Sequence, residues 1–280
     1  MSRQLTLIWA LEKHLTANDF RKRFKAVNGL EPPSLLFWHN ESGKTIGQGY
    51  RLSHDQEISK TQAYKLKDAR KHGSNWVRAR GPRCEADLAN NSRTEDDAMA
   101  MIRFFHTKRS VGIGFLGAAM IEFANSNLPI ILDCAEQALG HCRVRPYDGE
   151  LSLSLKGFPT RYVIPTLALK RPHFDFLGKR QYIERIVQQD IVRQAKILNI
   201  NIPTGFYIKV THFDDGTEHW VRTGKAKGGN SGSTGGALTV KNVEFLTNLK
   251  LQGFWSAGSL VSKGFGRIIL PGGARGSFDE

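Results

Sequence analysis

The chain has 280 residues, 40 Lys and Arg against 26 Asp and Glu, a formal charge of +14 and a pI near 9.8. That length suits one large domain or two modest ones, and the positive surplus favours a polyanionic partner through counterion release. Three cysteines with no C-x-x-C pair argue against a disulfide framework and a zinc site, and they fit a reducing cytosol.

Leu5, Leu7, Trp9 and Leu11 alternate with smaller or more polar neighbours and predict a half-buried opening strand. The run is too short to span a bilayer and carries no signal-peptide cleavage pattern. A membrane surface is not the expected partner either, because the chain has no long basic amphipathic helix and no lipidation motif. Thr16 or Asn18 can cap a helix from about Asp19 to Val27, stopped by Asn28-Gly29. Pro32-Pro33 breaks the chain before S-L-L-F-W-H, a second strand ending at His39, and a further extended piece surrounds Gln48–Ser53. Strand, helix, strand, strand opens a ferredoxin-like βαββαβ unit.

Residues from about 55 to 138 read as a helical insertion in a first domain spanning 1–150. Met99–Phe105 and Ala118–Ala124 each look like a helix with one apolar face. Arg103, Lys108 and Arg109 stand beside Phe104, Phe105 and His106, a mixture that serves phosphates and unstacked bases. Gly112-Ile-Gly114-Phe-Leu-Gly117 matches a dinucleotide fingerprint on paper, but no apolar strand precedes it. Small residues that let a helix pack closely are the better reading, and an enzyme using a nucleotide cofactor is the weakest hypothesis.

A second domain, 151–280, repeats the pattern. Thr160–Lys170 is strand-like, Tyr182–Leu198 is a helix with Ile183, Ile186, Val187, Ile191 and Leu198 on one side, and Phe206–Val210 is a strand. Asp214-Asp215-Gly216 reads as a hairpin turn into H-W-V-R-T. Residues 224–236 form a Gly-, Ser- and Lys-rich connection. Ala237–Val240 is a short strand, Val243–Leu251 is helix-like, and Arg267–Leu270 is the last strand.

Between that helix and the last strand runs G-F-W-S-A-G-S-L-V-S-K-G-F-G, residues 253–266. Glycines there can admit a ligand close to the backbone. Lys263 and Arg267 flank the last glycines with positive charge, so the expected ligand is an anion, and a polynucleotide backbone suits the irregular loop better than a nucleotide does.

On Gly258, Ser262, Gly264, Phe265, Gly266, Arg267 and Ile268 the chain resembles the repeat-associated RNA-binding superfamily of CRISPR systems, whose C-terminal loop reads G-x-x-x-S-x-G-φ-G-x-φ. The two-domain layout is similar to the endoribonucleases that cut CRISPR precursor RNA within each repeat, and the insertion is most like the type IV branch. The resemblance implies an α+β protein with two ferredoxin-like (RRM-like) domains, a prokaryotic cytoplasmic setting, a repeat RNA stem-loop as partner and other subunits of a ribonucleoprotein. It also implies cleavage without metal or other cofactor, in which the 2′-hydroxyl attacks in line and leaves a cyclic phosphate and a 5′-hydroxyl. The product would stay bound to the enzyme.

Family catalytic residues commonly come from the first helix and the strands just after it. Those places hold Arg21, Arg23, His39, Arg51 and His54 here, with Arg23, His39, Arg51 and His54 as catalytic candidates and Arg21 as an RNA-binding one. Arg103, Lys108 and Arg109 join the RNA-binding set. The first helix carries no clear histidine, unlike several family members, which leaves open whether arginines carry the chemistry or cleavage is absent. The rival reading is a non-catalytic subunit of the same superfamily that caps the guide RNA.

Overall fold

Thr6, Leu7, Ile8 and Trp9 are consecutive and all buried, so the opening strand β1 (Ser2–Ala10) has both faces covered. It pairs antiparallel with β5 (Ser110–Leu116) on one side and β6 (Val144–Lys170) on the other, which makes it an inner strand. The computed structural model describes residues 2–37, 49–52, 76–79, 101–170, 179–222 and 236–271. The chain divides into two compact units, one of residues 1–30 with 101–280 and one of residues 31–100.

In the smaller unit, Ser34–Leu36 forms a 3-10 turn in place of the expected strand. Pro32-Pro33 supplies the reason: Leu36 closes a turn onto the carbonyl of Pro33, at 3.1 Å. β2 (Gly49–Leu52) pairs antiparallel with β3 (Trp76–Ala79), with Gly49 opposite Ala79.

The larger unit holds a six-stranded antiparallel sheet in the order β4-β5-β1-β6-β8-β7, with β4 Ile102–His106, β7 Lys209–Arg222 and β8 Gly236–Gln252. β6 is the shared strand. Its residues 144–151 pair with β1 and residues 152–170 pair with β8. A short pair, β9 (Trp255–Ser256) with β10 (Arg267–Ile268), brackets the glycine loop, and Ile269 bridges to Val163 of β6.

Four α-helices lie among the described residues. Thr16 caps α1 (Ala17–Lys25), its hydroxyl accepting from the Asp19 N–H at 3.1 Å. Gly117 and Asn127 precede α2 (Ala118–Ser126) and α3 (Leu128–Leu139). Asn28, just past α1, exchanges two hydrogen bonds with the Gln137 side chain of α3. α4 (Lys179–Ile197) buries Ile183, Val187 and Ile191 along one stripe, as its sequence predicts. Among the described residues no helix is long and apolar enough to cross a membrane.

Three stretches expected as helix or turn are strands. Met99–Phe105 yields β4, because Phe104 packs on Phe20 and Phe24 of α1 while Phe105 packs on Phe254 on the opposite face. A strand covered on both faces loses its period of two, and the apolar run then reads as helix. Val243–Leu251 belongs to β8. Val243, Phe245, Thr247 and Leu249 are buried and alternate with more exposed neighbours, while Leu246 between them supplies a false helical spacing. Asp214-Asp215-Gly216 is no hairpin, since Asp214 and His219 both pair with β8 and residues 215–218 bulge opposite residue 240.

Gly112 and Gly114 lie in strand β5, not on a helix. A Cβ at Gly112 would stand 2.3 Å from the Phe105 ring, so this glycine makes room for an aromatic side chain of the protein itself. The fingerprint reading of Gly112–Gly117 ends there, since a nucleotide phosphate needs a strand-to-helix turn at the first glycine.

Candidate functional site

The glycine loop departs from the expectation that its glycines admit a ligand. Gly258, Gly264 and Gly266 have φ near +84°, +90° and +75°, and a Cβ on each would collide with the Ala168 carbonyl, the Ala17 Cβ and the Ala257 carbonyl. These positions let the loop lie against β6 and the first residue of α1. Its backbone donors are committed likewise: Ser259 N–H to Ala168 O at 2.6 Å and Gly266 N–H to Thr166 O at 2.8 Å.

Buried side chains hold the other end. Gln194 of α4 donates to the Phe254 carbonyl at 2.7 Å and accepts from Arg103 at 2.9 Å, and Gln4 accepts from the Phe254 N–H at 2.7 Å. Asp190 accepts from the Gly258 N–H at 2.6 Å and from Arg193 at 2.8 Å. Arg103, 0% exposed, also donates to the Ser256 hydroxyl at 2.9 Å. Burial pulls its pKa down to about 9, against the restoring charge of Asp190. A side chain so enclosed does not meet a polynucleotide on the surface, so as placed Arg103 braces the loop.

What the loop presents is a basic face. Lys263 ends a 3-10 turn, Val261–Lys263, and its ammonium pKa is lowered by burial and by the nearby charges of Arg21 and Lys22. Arg21 stands over the Phe104 ring at 6.0 Å, and burial lowers its pKa as well. The Arg267 guanidinium lies 4.8 Å from the Phe105 ring centroid and 5.1 Å from that of Phe254, held by cation–π contact. Ser262 and Phe265 are half-buried in the same loop.

Beside Arg267, two histidines meet. His106 ends β4 and His14 lies in the connection from β1 to α1, with ring centroids 5.5 Å apart at 62°. Both residues remain exposed overall. The His106 pKa is nevertheless lowered, by partial burial of its ring first and then by the charges of His14 and Arg267. Lys108 and Arg109 are exposed on the β4–β5 turn next to this pair, and the Arg109 carbonyl accepts from the Leu11 N–H at 2.8 Å.

Arg21, Lys263, Arg267, Lys108 and Arg109 thus gather around α1, the end of β4 and the glycine loop. Arg23 is exposed on α1, but a step of two residues turns it about 200° around the helix from Arg21. Arg51 lies on β2 in the other unit, and His39 and His54 lie outside the described residues. In the sequence, His106 is only a stackable ring beside two phenylalanines, and nothing marks His14. No local signal pairs them, because they lie on opposite sides of the 31–100 unit in the chain. Among the described residues no three His, Cys, Asp or Glu side chains are grouped to hold a metal.

Residues 1–273 match the family model described as type IV CRISPR-associated endonuclease Csf5. Among solved structures, the chain is similar to "Csf5, CRISPR-Cas type IV Cas6 crRNA endonuclease", at 22% identity and a TM-score of 0.63, over 96% of this chain and 99% of that one. It is also similar in fold to a protein described as Cas6b, at 14% identity and a TM-score of 0.50, over 97% of this chain and 100% of that one. No curated protein matches the sequence.

Proposed function

The chain belongs to the type IV CRISPR-associated endonuclease family, and from that membership we propose that it cuts CRISPR precursor RNA within the repeat without a metal. The face built from His14, His106, Arg21, Lys263 and Arg267 does the chemistry. The observation that carries this reading is the His14–His106 pair beside Arg267.

The reaction needs a proton acceptor, a proton donor and a cation, and this face offers all three. His106, kept neutral near pH 7 by its depressed pKa, takes the proton of the 2′-hydroxyl. The 2′-oxygen attacks phosphorus in line, the bond from phosphorus to the 5′-oxygen breaks, and protonated His14 supplies the proton to that leaving oxygen. Arg267 and Lys263 stabilise the charge on the phosphorane. The products are a 2′,3′-cyclic phosphate and a 5′-hydroxyl. Arg23, His39, Arg51 and His54 remain proposed catalytic contributors. Lys108, Arg109, Ser262 and Phe265 extend the RNA surface, and the cut repeat stem-loop stays bound there as part of a ribonucleoprotein with other subunits.

The proposed architecture is two ferredoxin-like halves sharing β6. The order β4-β5-β1-β6 supports the first, being second, third, first and fourth strand of a βαββαβ unit whose middle is interrupted by residues 31–100. The order β7-β8-β6, with Ile269 bridging to Val163, supports the second, the glycine loop standing where its second helix would be.

Incubating the protein with repeat RNA in EDTA, next to RNAs carrying one 2′-deoxy substitution each, tests the reading. Cleavage blocked by a single 2′-deoxy is expected. Tight binding without cleavage would overturn the enzyme reading in favour of a guide-capping subunit.

A further inference from the structure

β6 pairs regularly with β8 except at one place. Leu155 is opposite Leu249 and Thr160 opposite Thr247, so residues 156–159 bulge against the single residue Asn248. A bulge bends a strand, and a glycine and a proline, Gly157 and Pro159, suit such a bend. Bending does not require the phenylalanine between them. Phe158 is nonetheless 65% exposed, and Leu155 at the foot of the bulge is 46% exposed.

The ring is also partnered by a cation. The Lys156 ammonium stands 5.3 Å from the Phe158 centroid and is held by a hydrogen bond to the Thr160 hydroxyl at 3.2 Å. Lys250, on the neighbouring strand opposite Ser154, is exposed close by, whereas Arg161 just past the bulge is ion-paired with Glu244 at 3.5 Å. An exposed aromatic ring with basic groups around it is the composition of a single-strand nucleic-acid stacking platform, and its charge complements an anion rather than a basic or neutral surface.

We propose that Phe158 and Lys156 form a stacking post for an unpaired nucleobase of the bound RNA, with Phe158 taking the base and Lys156 its phosphate. This site lies on the β6 bulge, outside the histidine face, and it rests on the reading that the protein binds repeat RNA. One flipped-out or single-stranded nucleotide flanking the hairpin is the ligand, and sequence preference at that nucleotide is weak because every base presents a π face.

The test uses the full chain, a labelled repeat RNA hairpin with its single-stranded flanks, and the variants Phe158→Ala, Phe158→Trp and Lys156→Ala. Thermal melts establish that each variant is folded. Phe158→Ala is expected to weaken binding about 5- to 150-fold, the span for losing one base stack, while Phe158→Trp retains it. With 2-aminopurine placed at each flanking position in turn, wild-type protein is expected to change the fluorescence at one or two adjacent positions, and Phe158→Ala to abolish that change. Binding by folded Phe158→Ala within about twofold of wild type, with the same fluorescence pattern, overturns the inference. So does loss of association with another CRISPR subunit while RNA binding is kept, which would make Phe158 a protein contact. Failure of the wild-type protein to bind repeat RNA at all instead overturns the functional reading beneath it.

Discussion

The carboxylate of Asp190 accepts a hydrogen bond from the backbone N–H of Gly258 at 2.6 Å, joining the middle of α4 to the start of the basic loop. Asp190 is buried, and its second oxygen takes Arg193. Removing a charged acceptor strands its donor at a cost of about 1.5–3 kcal/mol. Asp190→Ala is therefore expected to lower the melting temperature and to weaken RNA binding, while Asp190→Asn, which retains an acceptor for Gly258, should lose less of both. Hydrogen exchange at the Gly258 and Gly266 amides reads the loop directly. Unchanged protection in Asp190→Ala would remove Asp190 from any role in holding the loop.

Gly266 makes a sharper test of why the loop is glycine-rich. With φ near +75° and an added Cβ only 1.7 Å from the Ala257 carbonyl, Gly266→Ala has to displace backbone. A loss of more than about 2 kcal/mol in chemical unfolding is expected, in the range of core overpacking or backbone strain. A ligand-approach role alone would leave the stability of the free protein intact.

Acidification should move stability and binding in opposite directions. The folded-state pKa of His106 is depressed below its unfolded value near 6.5, by partial burial and by His14 and Arg267. The unfolded chain consequently binds more protons in the window just below 6.5, so His106 contributes stability present above that value and lost as pH falls through the folded pKa. The melting temperature is expected to fall from pH 7.5 to 5.5, and less so in His106→Gln. RNA phosphate beside the ring favours the protonated form, so binding should strengthen over the same interval. Imidazole proton shifts recorded free and RNA-bound would check both signs.

Much of the architecture is readable in the sequence where local pattern and tertiary environment agree: Thr16 as a cap, α4 with its apolar stripe, and β1 as the opening strand. The stretches that mislead are those where burial on two faces or a stray leucine disguises the period, β4 and β8 above all. Lys263 and Arg267 are legible from the glycine loop, whereas the role of its glycines is not, because only the fold reveals that Ala17, Ala168 and Ala257 occupy their open sides. The histidine pair is invisible for a similar reason. His14 precedes α1 and His106 ends β4, and antiparallel pairing of β1, β5 and β4 brings them together.

Arg267 is expected to count as a phosphate contact. Its replacement by Ala should reduce the slope of log affinity against log salt by about 0.7–0.9, the contribution of one neutralised phosphate. Arg267→Lys keeps the charge but loses the planar stacking on Phe105 and Phe254, so it should restore the slope and only part of the affinity. An unchanged slope in Arg267→Ala would take this arginine out of the interface.

The most direct measurement is single-turnover cleavage of repeat RNA in EDTA, with protein saturating, for wild type and His106→Gln. Removing a proton-transfer group is expected to lower the rate about 100-fold or more while leaving RNA affinity within a few-fold. A His106→Gln rate within about threefold of wild type would contradict the account and move the chemistry away from the face shared by α1, β4 and the glycine loop.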